Sequence, residues 1–148
     1  MKYLKNLTLQ QWAWSHFLIA LGIVWPVVII TNVPTGFLAT LEFTLILVGM
    51  FFTFIGALCA LVGLIMKDQT CKVRLYGISI ELIGTLLLFV GPFLYFVTQL
   101  VLATQIGGFT SRGALMVFAY SMCAVIVYRL VMITPQFLQE AHDETKEI

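Results

Sequence analysis

The stretch FTLILVGMFFTFIGALCALVGLIM, residues 43–66, contains no Asp, Glu, Lys or Arg. It is longer than the roughly 20 apolar residues that a helix needs to cross the bilayer core. Residues 6–41, 82–111 and 113–128 are uncharged as well. Over the whole chain 61% of the residues are hydrophobic and 10% are charged, whereas an ordinary soluble domain has about 25% charged residues. This composition excludes a soluble enzyme and a disordered chain, and predicts an integral membrane protein.

Breakers and charged residues divide the chain into four predicted spans within a single transmembrane domain, residues 1–148. Proline removes a backbone donor and glycine tolerates any backbone angle, so both mark helix ends. We therefore predict an all-α four-helix bundle. Its spans cover about residues 11–31, 38–66, 73–104 and 113–134, and a polar tail follows at 135–148.

The cations predict how the bundle is oriented. Lys and Arg accumulate in cytoplasmic loops, and Arg112 alone would lie on the opposite side from the others. We therefore expect a multi-pass protein of the cell membrane with both termini in the cytoplasm. The cations on the predicted inner side are Lys2, Lys5, Lys67, Lys72, Arg74, Arg129 and Lys146.

Small residues recur every seven positions in the second and third predicted spans. A spacing of seven is close to two helical turns, so each set lines one face of its helix. In an antiparallel hairpin about position 70 the two sets face one another, and small residues let membrane helices approach closely. The pattern predicts a tightly packed hairpin, although glycine is also simply common in membrane helices. The predicted pairs are Gly63 with Gly77, Gly56 with Gly84, and Gly49 with Gly91.

Ionisable residues inside the spans are the best candidates for a functional site, because burying a charge in the membrane is unfavourable. Glu81 shares the face of the third-span glycines, and His16 and Arg129 are expected at a similar depth. One hypothesis is that these three residues form an intramembrane polar cluster able to bind a proton or an ion. A purely structural role for them is the interpretation that we favour. At the opposite boundary, Glu42 and Arg112 are predicted to form an outer polar pair.

The residues that most enzymes need are missing. The three cysteines form no C-x-x-C pair, and the two histidines lie too far apart for zinc-ligand spacing. No G-x-S-x-G, phosphate-binding glycine loop or H-E-x-x-H is present. We therefore expect no enzymatic activity, no metal and no cofactor. The net charge of +1 gives no basic footprint for nucleic acid.

The sequence is most typical of a non-enzymatic membrane protein that works by helix association. Its partners would be the lipid bilayer and either copies of itself, in a homo-oligomer, or the other subunits of a membrane complex. In size, predicted spans and charged tail the chain resembles some phage holins, a likeness of architecture without a shared residue motif. A holin-like pore is therefore one alternative function. A proton- or ion-linked channel or carrier that uses Glu81 is another.

Overall fold

The computed structural model describes residues 9–27, 41–67, 71–106 and 109–146; these are helical except for Lys67, which is in a turn, and no strand occurs among them. The first helix continues directly into a π-helical segment, Ala20–Val24. The four α-helices are α1, Leu9–Ile19; α2, Leu41–Met66; α3, Cys71–Ile106; and α4, Phe109–Lys146.

Three of these helices are long and apolar enough to cross a membrane, over Thr44–Met66, Val73–Val101 and Met116–His142. Large apolar side chains such as Phe51 and Val131 are exposed on them, as expected where lipid rather than water surrounds the helices. The membrane class and the all-helical fold are thus supported. The predicted first span is described only as far as Val27, and residues 28–31 lie outside the described part. A fourth span therefore remains a prediction.

Glycines bring α2 and α3 into backbone contact along their length. A Cβ atom added to Gly56 would lie 2.4 Å from the Leu88 nitrogen and 2.7 Å from the Gly84 oxygen. A Cβ on Gly49 would lie 3.2 Å from the Gly91 Cα. Any side chain at Gly56 would force the helices apart, since real Cβ atoms do not approach other atoms so closely. The two helices are antiparallel: Gly49 lies beside Gly91, Gly56 beside Gly84, and Gly63 beside Gly77.

The first segment packs on the hairpin through one stripe of side chains. Trp14, Leu18, Leu21 and Trp25 are all buried in the core. At Gly22 the segment approaches α2 so closely that a Cβ would lie 2.6 Å from the Ala57 Cβ. The helix is wider here because the Trp25 nitrogen donates to the Ala20 oxygen, five residues back. The next residue, Pro26, has no backbone N–H group to donate.

The structure corrects the predicted end of the last span. We expected Pro135 to close that helix and a separate tail to follow, but α4 runs through Pro135 to Lys146. Contacts with the end of the hairpin hold the continuation in place: Lys67 Nζ donates to Gln136 Oε1, and Arg74 Nε lies 2.9 Å from Glu140 Oε1. Because proline removes only one helical hydrogen bond, these contacts keep the helix continuous.

Candidate functional site: a buried cluster of charged residues

The site lies where α3 and α4 meet, near the end of the hairpin that carries the α2–α3 loop. Glu81 is completely buried on α3. Arg129 on α4 donates to its Oε1 oxygen twice, through Nε at 3.0 Å and through Nη2. Seven residues separate Glu81 from Arg74, which places the carboxylate about 10 Å along the helix axis from that partly exposed cation. An ion pair at this depth is held away from bulk water.

Lys67 supplies a second cation from the end of α2. Its Nζ lies 3.6 Å from Glu81 Oε2, and its side chain is 13% exposed while that of Glu81 is 0% exposed. The Lys67 nitrogen donates to the Gly63 oxygen at 3.0 Å, so the helical path continues through this residue. The ammonium group therefore reaches the carboxylate from a backbone position directly after α2.

Two glycines position these groups. A Cβ on Gly63 would lie 2.3 Å from the Glu81 nitrogen, and a Cβ on Gly77 would lie 2.7 Å from the Lys67 nitrogen. Without side chains at these two positions, the backbones that carry the acid and the lysine approach one another. The same helix contact that defines the hairpin thus brings Lys67 and Glu81 together.

Trp14 on α1 covers the guanidinium group. The Arg129 Cζ lies 5.3 Å from the centre of the Trp14 ring, a distance at which the ring attracts a cation. Two buried polar atoms of this cluster, Trp14 Nε1 and Glu81 Oε2, have no hydrogen-bond partner among the described residues. The cluster therefore retains hydrogen-bonding capacity, which is unusual for buried groups.

Burial lowers the pKa of Lys67 from its ordinary value. Glu81 opposes this shift by favouring the charged amine, while the charges of Arg129 and Arg74 add to it. Desolvation is the larger effect, because the hydration free energy that the ammonium group loses exceeds its attraction to a carboxylate shared with Arg129. Lys67 is therefore easier to deprotonate than a lysine in water.

His16 lies outside this cluster, contrary to our expectation. Its side chain is exposed, its Nδ1 lies 2.9 Å from the Trp12 oxygen, and its ring centre lies 3.9 Å from that of Trp12. Positions 14 and 16 point to roughly opposite sides of a helix. Since Trp14 faces Arg129, His16 must face away from it.

The other predicted site residues have different outcomes. Glu81 and Arg129 are in contact, and the glycines lie in the α2–α3 interface. The side chains of Glu42 and Arg112 lie outside the described part of the chain, so their pairing stays a prediction. Sequence reasoning missed Lys67, which looked like a solvated loop residue. The available signal was its position four residues after Gly63, which places it on the glycine face.

Comparison with known protein families, with curated proteins and with solved structures found no match for this chain.

Proposed function

We propose that this chain is a non-enzymatic membrane protein that acts by associating with other helices in the bilayer. It would do so with copies of itself or as the membrane subunit of a larger assembly. One observation carries the proposal: an open aromatic groove of about 550 Å³ lies between α3 and α4. The apolar window of α4 is also the least covered of the three, with 22% buried against 39% for α2.

The groove is lined by residues that suit helix packing. Its lining includes the small residues Cys123 and Ala124, together with Tyr120 and Tyr128, which are 64% and 56% exposed. Small residues allow a neighbouring helix to approach closely. The full lining is Phe89, Phe93, Phe96, Tyr120, Cys123, Ala124, Val127 and Tyr128.

The depth of Tyr128 favours a protein partner over an acyl chain. This residue lies in the middle of the apolar window Met116–His142, whereas Tyr120 lies about 6 Å from the start of that window. Tyrosine in membrane proteins concentrates at headgroup level, and a phenol hydroxyl within hydrocarbon lacks an acceptor. A neighbouring helix supplies such acceptors, and interhelical hydrogen bonds of this kind help membrane helices associate.

A second copy of the chain is the partner we test first. Each copy presents the same groove, so a two-fold arrangement can place α4 of one copy against α4 of the other. Such an interface would bury the tyrosines of both copies at once.

Cys123 allows a direct test, because its side chain lines the groove. In a variant that retains only this cysteine, a short thiol-specific crosslinker should produce a covalent dimer in lipid vesicles. The matched control retains only Cys59, which is on α2. Val127→Trp, which fills the groove, should suppress the Cys123 crosslink.

Crosslinking that is equal through Cys59 and Cys123 and unchanged by Val127→Trp would contradict a groove-specific interface. A Cys123 crosslink absent at every protein-to-lipid ratio would contradict self-association.

A further inference from the structure

The buried cluster contains more positive than negative charge. Lys67 and Arg129 are both cations, and Glu81 is the only carboxylate in contact with them in the described part of the chain. With all three ionised, the cluster carries a net charge of +1. A net charge away from water is unfavourable, so the cluster favours the loss of one proton or the gain of one anion.

The geometry favours the proton. Arg129 directs two nitrogens, Nε and Nη2, to Glu81 Oε1, and the other oxygen, Oε2, has no hydrogen-bond partner among the residues that the structure describes. A carboxylate oxygen without a donor repels an anion but attracts an N–H group. The nearest such group is the ammonium of Lys67, 3.6 Å away. Oε2 is thus placed to hold a proton carried by Lys67.

Lys67 is also the member of the cluster that lies outside the apolar windows of the helices. It directly follows Met66, where both α2 and its apolar window end, and its Nζ already donates to Gln136 Oε1 on α4. Arg129 has a comparable exposure, 10%, but a guanidinium does not release its proton in proteins. Lys67 is therefore the member that can exchange a proton.

We propose that Lys67 and Glu81 form a proton-binding site, loaded from the aqueous phase on the side of the α2–α3 loop. In the loaded state the Lys67 ammonium donates to both Glu81 and Gln136, and the cluster carries +1. In the empty state Lys67 is a neutral amine, the proton has passed to water, and the remaining Glu81–Arg129 pair is neutral overall. The site is independent of the groove and of any association through it.

The surrounding groups define what controls the site. From α3, Glu81 favours the loaded state and Arg74 opposes it, although Arg74 is also paired with Glu140. From α4, Arg129 opposes the loaded state, and Gln136 contributes a neutral acceptor.

The test is a titration of the Lys67 amine in the full chain, reconstituted in lipid nanodiscs. Trace acetic anhydride labels only neutral amines, and mass spectrometry reports the labelling of Lys67 at each pH. The midpoint should lie below that of N-acetyl-lysine amide in the same buffer. Glu81→Gln should lower the midpoint further, since it removes the anion, and Arg129→Gln should raise it.

His16→Gln is the matched control, because His16 faces Trp12, and it should leave the midpoint unchanged. The wild-type titration requires no variant to fold. A Lys67 midpoint equal to that of the free amine would overturn the proposal. A lowered midpoint that does not respond to Glu81→Gln in a folded variant would also overturn it, because the proton would then not be shared with the carboxylate.

Discussion

Arg129 donates twice to a single oxygen of Glu81, 48 residues earlier in the chain, and so joins α4 to α3 inside the bundle. The two glycine-lined helices bring Lys67 to the other oxygen. The Glu81 carboxylate on α3 is thereby bound by side chains from α4 and from the residue that follows α2.

Glu81→Gln should destabilise the protein strongly, because it leaves the buried Arg129 and the partly buried Lys67 without an anion. Removing one partner of a buried ion pair typically costs about 3–5 kcal/mol. The double variant Glu81→Gln/Arg129→Gln should lose less than the sum of the two single variants, since the partners are then removed together. Reversible unfolding in mixed micelles measures these free energies.

His16→Gln serves as the control for this cycle and should change the unfolding free energy by less than about 0.5 kcal/mol, as expected for an exposed side chain. Additive effects of the two cluster substitutions would show that the contact contributes no energy of its own.

Gly56→Val should separate α2 from α3. The new Cβ would lie 2.4 Å from the Leu88 nitrogen, and backbone atoms cannot move aside as a flexible side chain can. We expect a loss of about 1–3 kcal/mol, the usual range for overpacking. Gly113→Val is the matched control, since no atom of the described residues lies within 4 Å of a Cβ there. Equal losses in both variants would point to helix propensity instead of packing.

Stability should depend on pH through Lys67. Its pKa in the folded chain is lowered from 10.5, so between the two values the unfolded chain binds more protons. Unfolding therefore becomes less favourable as pH rises through that window. Unfolding curves recorded from neutral pH upward should show increasing stability. Lys67→Gln should flatten this dependence, and stability that falls with pH in the wild type but not in the variant would reverse the assigned sign.

Tyr120→Phe combined with Tyr128→Phe should weaken association without weakening the fold. Both phenol groups are exposed in the groove, and the substitution removes only their hydroxyls. Interhelical hydrogen bonds in membranes contribute about 0.6 kcal/mol on average, so the two hydroxyls together should give a several-fold change in the dimerisation constant. Energy transfer between labelled copies in vesicles measures it. An unchanged constant would remove the hydroxyls from the interface.

The membrane class and the α2–α3 hairpin could be predicted because they follow from composition and from a repeated spacing. Small residues recur every seven positions in each of the two helices, so either helix alone indicates the face on which Gly56 and Gly84 lie. The position of His16 could not be predicted in this way, since it depends on how α1 is rotated about its axis, and that rotation is set by Trp14 and the other buried side chains. Pro135 was misread as an end because the contacts that support α4 beyond it come from distant residues, Lys67 and Arg74.

Lys67 shows a similar limit. A lysine beside Asp68 in a charged loop is normally solvated, and only the close approach of Gly77 to its backbone places it beside Glu81. The helix face on which Lys67 lies could be predicted from its spacing to Gly63, but the distance between the two helices could not.

Counting photobleaching steps of singly labelled chains in vesicles of increasing protein density tests the central claim, association in the bilayer, most directly. We predict that the two-step fraction rises with density along a binding curve and shifts to higher density in Val127→Trp. A single-step population at every density, matching that of a known monomer, would contradict self-association.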